Sequence, residues 1–122
     1  MRYMFLIYSQ EKAVQHTPEA IDAMKNAHLS VMEDAATKGV LVGLAGLKST
    51  PSATTVRMKD GRPIVLDGPF AETKEQLAGY YILECRDLDE ALGWAARIPT
   101  SCKGGEGCIE VRPVAEYPKP LP

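Results

Sequence analysis

Val65-Leu66-Asp67-Gly68-Pro69-Phe70-Ala71-Glu72-Thr73-Lys74-Glu75 is the stretch from which the fold is read. It separates two strand-like runs, Arg62–Leu66 and Leu77–Cys85, and the second is made emphatic by Tyr80, Tyr81 and Ile82. A plain hairpin needs only Asn-Gly or Asp-Gly between its strands. This connection carries far more. Gly68 permits positive φ, Pro69 fixes its own φ and restrains Gly68, and Asp67 can hydrogen-bond the backbone ahead of it in an Asx-turn. Phe70 adds an aromatic ring, and Asp67, Glu72, Lys74 and Glu75 add charge. So specified a loop is either a rigid structural corner or part of a site.

Upstream, Thr54–Met58 and Arg62–Leu66 flank Lys59-Asp60-Gly61, a predicted hairpin with Gly61 at positive φ. Val40–Leu47 reads as a strand whose Gly43 and Gly46 suggest that something packs closely over it. Before it, Thr17-Pro18-Glu19 opens a helix with an N-cap, a proline at N1 and an acid in the first turn, and Gly39 closes it. Ile21, Met24, His28, Val31 and Ala35 make one helical stripe, which places His28 on the inward face. Arg2–Tyr8 is apolar enough for a central, well-covered strand.

Downstream, Asp87 caps a helix with Glu90 at N3. That helix is predicted to run to about Ile98, before Pro99, with Leu88, Ala91, Leu92 and Ala95 inward and Trp94 at the flank. A glycine-rich loop over 100–107 precedes a last strand, Cys108–Val114. Setting the middle hairpin aside, the order is β-α-β-β-α-β. Right-handed crossovers then put both helices on one face of an antiparallel sheet. The expected fold is a ferredoxin-like α+β domain with an inserted β-hairpin, over residues 1–115, followed by a proline-rich tail at 116–122. The sheet's other face would be bare, and a second copy of the chain is expected to cover it in a symmetric homodimer.

The 122 residues suit one domain. With 14 basic and 16 acidic residues and no block of like charge, binding nucleic acid through a basic face is disfavoured. An anionic small ligand held by one or two placed cations is compatible with that balance. Met1–Tyr8 reads as a strand in preference to a secretory signal, and no apolar run reaches membrane-spanning length. Cys85, Cys102 and Cys108 are odd in number and lack CxxC spacing, so reduced thiols in a cytoplasmic protein are favoured over a Cys102–Cys108 bridge.

Asp67-Gly68-Pro69-Phe70, followed by Ala71-Glu72-Thr73-Lys74-Glu75 and Gly79-Tyr80-Tyr81, strongly resembles the DGPF-domain group of the YCII-related proteins. Tyr3–Tyr8, Ala27-His28, Gly39–Gly46, Ala53–Arg57, Asp87–Ala96 and Glu110–Pro113 extend the resemblance over nearly the whole chain. It implies the dimeric α+β barrel superfamily and a candidate site containing a first-helix histidine, the position of His28. The broader group pairs that histidine with an aspartate, and one branch looks like dehydrochlorinases acting on chlorinated hydroxyquinols. Here Ile98-Pro99 stands where that group has Asp-Pro, so its aspartate is absent. Some relatives are fused to, or encoded beside, sigma factors of the extracytoplasmic-function type, which implies a regulatory, sigma-factor-related partner as the competing reading.

His28 is the first catalytic candidate, because an imidazole moves protons near neutral pH. The alternative is a core histidine whose ring nitrogens are satisfied by a backbone carbonyl or a Tyr hydroxyl. Asp67 can orient His28, bind a ligand hydroxyl or cap its own loop. Phe70 is a plug or a pocket wall. Lys74 and Arg57 are solvated or bind an anionic oxygen. His16 and His28 are too far apart, and the Cys/His spacing too poor, to argue for a metal. Two functions follow. One is a cofactor-free lyase or isomerase in which His28 moves a proton beside the Asp67–Lys74 loop. The other is a non-catalytic dimeric module that binds a ligand or a regulatory partner.

Overall fold

The computed structural model describes residues 1–13, 17–100 and 107–116. His16, Cys102, most of the 100–107 loop and the tail from Tyr117 lie outside these residues. Eight main elements follow one another: β1 (Arg2–Ser9), α1 (Pro18–Thr37), β2 (Leu41–Gly46), β3 (Thr54–Lys59), β4 (Arg62–Asp67), β5 (Gln76–Glu84), α2 (Leu88–Ala95) and β6 (Gly107–Pro113). Short 3-10 turns at Glu11–Ala13 and Thr50–Ser52 punctuate the connections.

β1, β2, β5 and β6 form one antiparallel sheet in the order β2-β5-β1-β6. That is the ferredoxin-like arrangement expected once the hairpin is set aside. β3 and β4 pair only with each other. Their turn carries Asp60 at φ 52° and Gly61 at φ 77°. Two successive positive φ values match the right-handed twist of the flanking strands, which is why Asp-Gly serves here.

β1 is central, and alternate side chains explain its apolarity. Tyr3, Phe5 and Ile7 are buried on the helix side. On β5, Tyr81 and Leu83 share that face, and Val31, Ala35, Ala91, Trp94 and Ile98 close the core over it. Phe5 and Leu83 are wholly inaccessible to solvent. On the opposite face, Met4, Leu6 and Tyr8 stand beside Ile82 and Tyr80, with Gly43 and Ala45 across β5.

Both helices begin as their caps dictate. The Thr17 hydroxyl accepts from the Ala20 N–H at 3.2 Å, and the Asp87 carboxylate accepts from the Glu90 N–H at 2.9 Å. Lys38 ends α1, and Gly39, at φ 71°, turns the chain into β2. α2 is shorter than its sequence suggests and stops at Ala95. Its buried stripe is also different: Ala91, Trp94 and Ile98 face the core, while Leu88 and Leu92 are about half exposed. Trp94 offers more area than either leucine, and spacings of three and four from Ala91 carry the stripe through Trp94 and Ala95 to Ile98. Lys38 and Arg97 flank the indole at 5.4 and 4.9 Å from its centre, and both pair with Asp34.

The close packing predicted over Gly43 and Gly46 falls elsewhere. A Cβ at either glycine would meet nothing within 4 Å, whereas one at Gly79 would lie 2.5 Å from the Ala45 carbonyl oxygen. β2 therefore leaves no room for a side chain at Gly79 of β5, beside a register shift against β1 between Ile7 and Tyr8.

Candidate functional site

The α1 stripe is graded along its length. Val31 and Ala35 are buried in the core, whereas Ile21, Met24 and His28 are half-buried. Beneath the middle of the helix lies a cavity of about 330 Å³, with Ile7, Met24, Met32, Leu44 and Tyr81 among its walls. His28 lines it too. The Gly79 contact matters here, because it lets β2 and β5 form the cavity's rear wall without a side chain between them.

His28 Nδ1 lies 2.8 Å from the Tyr81 hydroxyl, with the two rings stacked at 5.9 Å between centroids and 24° between planes. Tyr81 points to the helix side because it shares a face with Gly79 and Leu83 and alternates with Tyr80 and Ile82 along β5. Burial sets the protonation of both groups. It lowers the His28 pKa below the ordinary 6.5 and raises that of Tyr81 above 10. At neutral pH the pair is an uncharged imidazole and a protonated phenol. Its shared hydrogen bond has two forms. With the proton on Nδ1, Nε2 keeps its lone pair and can take a proton; with the phenol donating to Nδ1, Nε2 carries a proton and can give one.

A second cavity of about 460 Å³ lies between the Glu11–Ala13 turn, the Thr50–Ser52 turn and the loop after β4. Lys12, Pro69, Glu72, Thr73 and Lys74 contribute to its walls. Glu11 lines both cavities.

The residues singled out in the sequence are thus dispersed within the chain. Lys74 lines the second cavity and does not reach the first. Asp67 ends β4 opposite Thr54, is exposed and lines neither cavity; among the described residues its carboxylate accepts no hydrogen bond, so the Asx-turn is not formed. Arg57 donates from Nη2 to the Phe70 carbonyl at 3.3 Å, and Thr55 Oγ1 donates to the Gly68 carbonyl at 2.8 Å. Both bonds hold the Gly68-Pro69-Phe70 corner against β3. The Phe70 ring itself is 72% exposed. His28 therefore meets Tyr81, and not Asp67, inside one chain.

Ile98, standing where the broader group has its aspartate, is buried in the core with Ala91 and Trp94. Cys85 and Cys108 are free thiols whose pKa values burial raises, which leaves them poor nucleophiles. Among the described residues no cluster of three His, Cys, Asp or Glu side chains is assembled that would hold a metal, and no helix is long and apolar enough to cross a membrane.

Tyr81 and Glu11 are the site residues that sequence reasoning did not single out. For Tyr81 a signal existed: a phenol on the buried face of a strand needs a hydrogen-bond partner, and His28 is the polar group on the facing helical stripe. For Glu11 there was none, because its neighbours Thr50 and Gln76 are 39 and 65 residues away along the chain.

A profile of the YCII-related domain matches residues 1–118. An uncharacterized protein of Rhizobium meliloti (strain 1021) is 40% identical over 124 aligned residues, which take in 100% of this chain and 99% of that protein. With the family match spanning nearly the whole chain and the ferredoxin-like sheet in place, the protein belongs to the YCII-related family.

Proposed function

We propose that the His28 cavity binds a small, ring-sized molecule and that the His28–Tyr81 pair transfers a proton on it, in lyase or isomerase chemistry that calls on side chains alone. The observation that carries this reading is the 2.8 Å contact between Nδ1 and the Tyr81 hydroxyl at the wall of an apolar cavity. A core histidine needs only satisfied nitrogens. Here one ring nitrogen is engaged, and the ring also faces space of ligand size. Lowering the imidazole pKa keeps it unprotonated at neutral pH, the state a general base requires.

An enolisable ring ketone tests it. Cyclohexanone in D2O should exchange its α-protons faster with the protein present, followed by proton NMR. In His28→Gln the catalysed rate should fall by about 10²-fold or more. Tyr81→Phe should fall by a smaller factor, since the imidazole stays. An equal exchange rate in wild type and His28→Gln would end the proton-transfer reading.

We also propose that a second copy of the chain packs against this one, which supports the homodimer of the barrel superfamily over a sigma-factor-related partner. In favour stand Val56, Met58 and Val65, each at least 60% exposed on one face of the hairpin, and the uncovered sheet face of Met4, Leu6 and Ile82. Sedimentation should give a two-copy species that Val65→Lys converts to monomer; a monomeric wild type would contradict it.

A further inference from the structure

Among the described residues Glu11 is the one that lines both cavities, and its surroundings show how it is held. Thr50 donates to it twice, from N–H to Oε1 at 2.9 Å and from Oγ1 to Oε2 at 2.7 Å. The Glu11 N–H donates to Gln76 Oε1 at 2.9 Å, and Gln76 in turn donates from Nε2 to the Thr73 carbonyl. The connection after β1, the turn after β2 and the start of β5 are thereby tied at one residue, the turn through the Glu11 carboxylate and β5 through its backbone N–H. Two accepted bonds leave each oxygen a free lone-pair direction.

The charge inventory of the His28 cavity is the second observation. Among the described residues that line it there is no Lys, Arg or Asp. His28 is held neutral by burial. Glu11 is then the only full charge on those walls, and it is negative, partly buried and fixed in place. Lys12 and Lys74 line only the second cavity and are exposed.

We propose that the two cavities act as one two-chambered site in which Glu11 selects the ligand. A small ring sits against His28 and Tyr81, and an amine or hydroxyl one or two bonds from the ring donates to the Glu11 carboxylate. A carboxylate at that position is rejected, because it would face a fixed like charge with no cation among the described lining residues to offset it. Any acidic group the ligand carries reaches outward, past the junction, to Lys12 and Lys74. The inference rests on the cavity being a ligand site, as proposed above, and names the class of molecule it takes.

Benzylamine, benzyl alcohol and benzoate share a ring and differ in the group presented to Glu11. Titrated into isotope-labelled full-length protein, they are read by NMR through the His28 ring signals and the shifts of the Thr50 amide. Wild type should bind benzylamine most tightly, benzyl alcohol next and benzoate least. Glu11→Gln keeps an acceptor for the Thr50 N–H but loses the charge. It should weaken benzylamine at least tenfold, change benzyl alcohol less, and leave benzoate the same or tighter. Thr50→Val loosens the tie without removing the charge, so the order of the three probes should persist. An order unchanged within twofold in Glu11→Gln would overturn the proposal, as would Thr50→Val abolishing the order as fully as Glu11→Gln. Probes that leave His28 unmoved would also overturn it. Failure of ketone exchange alongside the predicted charge preference would remove the proton-transfer reading and leave this one standing.

Discussion

The four-stranded sheet and the β3–β4 hairpin are built from similar side chains and end in opposite surroundings. β5 puts Tyr81 and Leu83 into the core, while the paired Val56 and Val65 of the hairpin remain 60% and 65% exposed. Both are antiparallel pairings, the hairpin's in unbroken register and the β1–β5 pairing with one shift between Ile7 and Tyr8. What differs is the layer against them. α1 and α2 cover one face of the sheet, and nothing within the described chain covers the apolar face of the hairpin. Strand-forming residues specify pairing, and a second layer determines whether pairing becomes a core.

The largest expected effect breaks that contrast from the covered side. Leu83→Ala removes a fully buried side chain and should cost about 2–5 kcal/mol in denaturant unfolding, whereas Val65→Ala, compared at protein concentrations low enough to dissociate the two-copy species, should stay within about 0.5 kcal/mol. Equal losses at the two positions would mean that the hairpin is covered as well as the sheet. Next comes Gly79→Ala. The added methyl meets the Ala45 carbonyl, so β2 must move from β5 at the rear of the His28 cavity, at a cost of about 1–3 kcal/mol. The same variant at Gly43 meets open space and should be nearly neutral.

A smaller effect concerns pH. The folded His28 pKa lies below the unfolded 6.5, so at low pH the unfolded state binds the proton first. Stability from this group is complete above pH 6.5 and declines as pH falls from 6.5 toward the folded value. Urea midpoints compared at pH 7.5 and pH 5 should show a drop in wild type that is reduced in His28→Gln. If the variant declines as steeply, His28 is not the group responsible.

The frame was largely legible in the sequence, for local reasons. Thr17-Pro18 and Asp87 set helix starts, Asp60-Gly61 set the hairpin turn, and the alternation of β1 and β5 set the sheet. Leu88 and Leu92 misled because spacing alone does not weigh them against Trp94, which fills the core between the helix and the sheet. His28 could be placed on the inward face, but not its partner. The dense loop at Asp67–Glu75 drew attention to Asp67, whereas the hydrogen bond forms with Tyr81, on a strand whose facing position depends on sheet register. Glu11 was hidden for a stronger reason: three separate connections must meet before its carboxylate stands anywhere in particular.

The account turns on His28 being a neutral, ligand-facing imidazole. The most direct measurement is its nitrogen-15 ring signals through a pH titration, with and without cyclohexanone. The account predicts a pKa below 6.5 and ring signals that move when the ketone is added at neutral pH. A pKa at or above 6.5, with ring signals indifferent to the ketone, would contradict it.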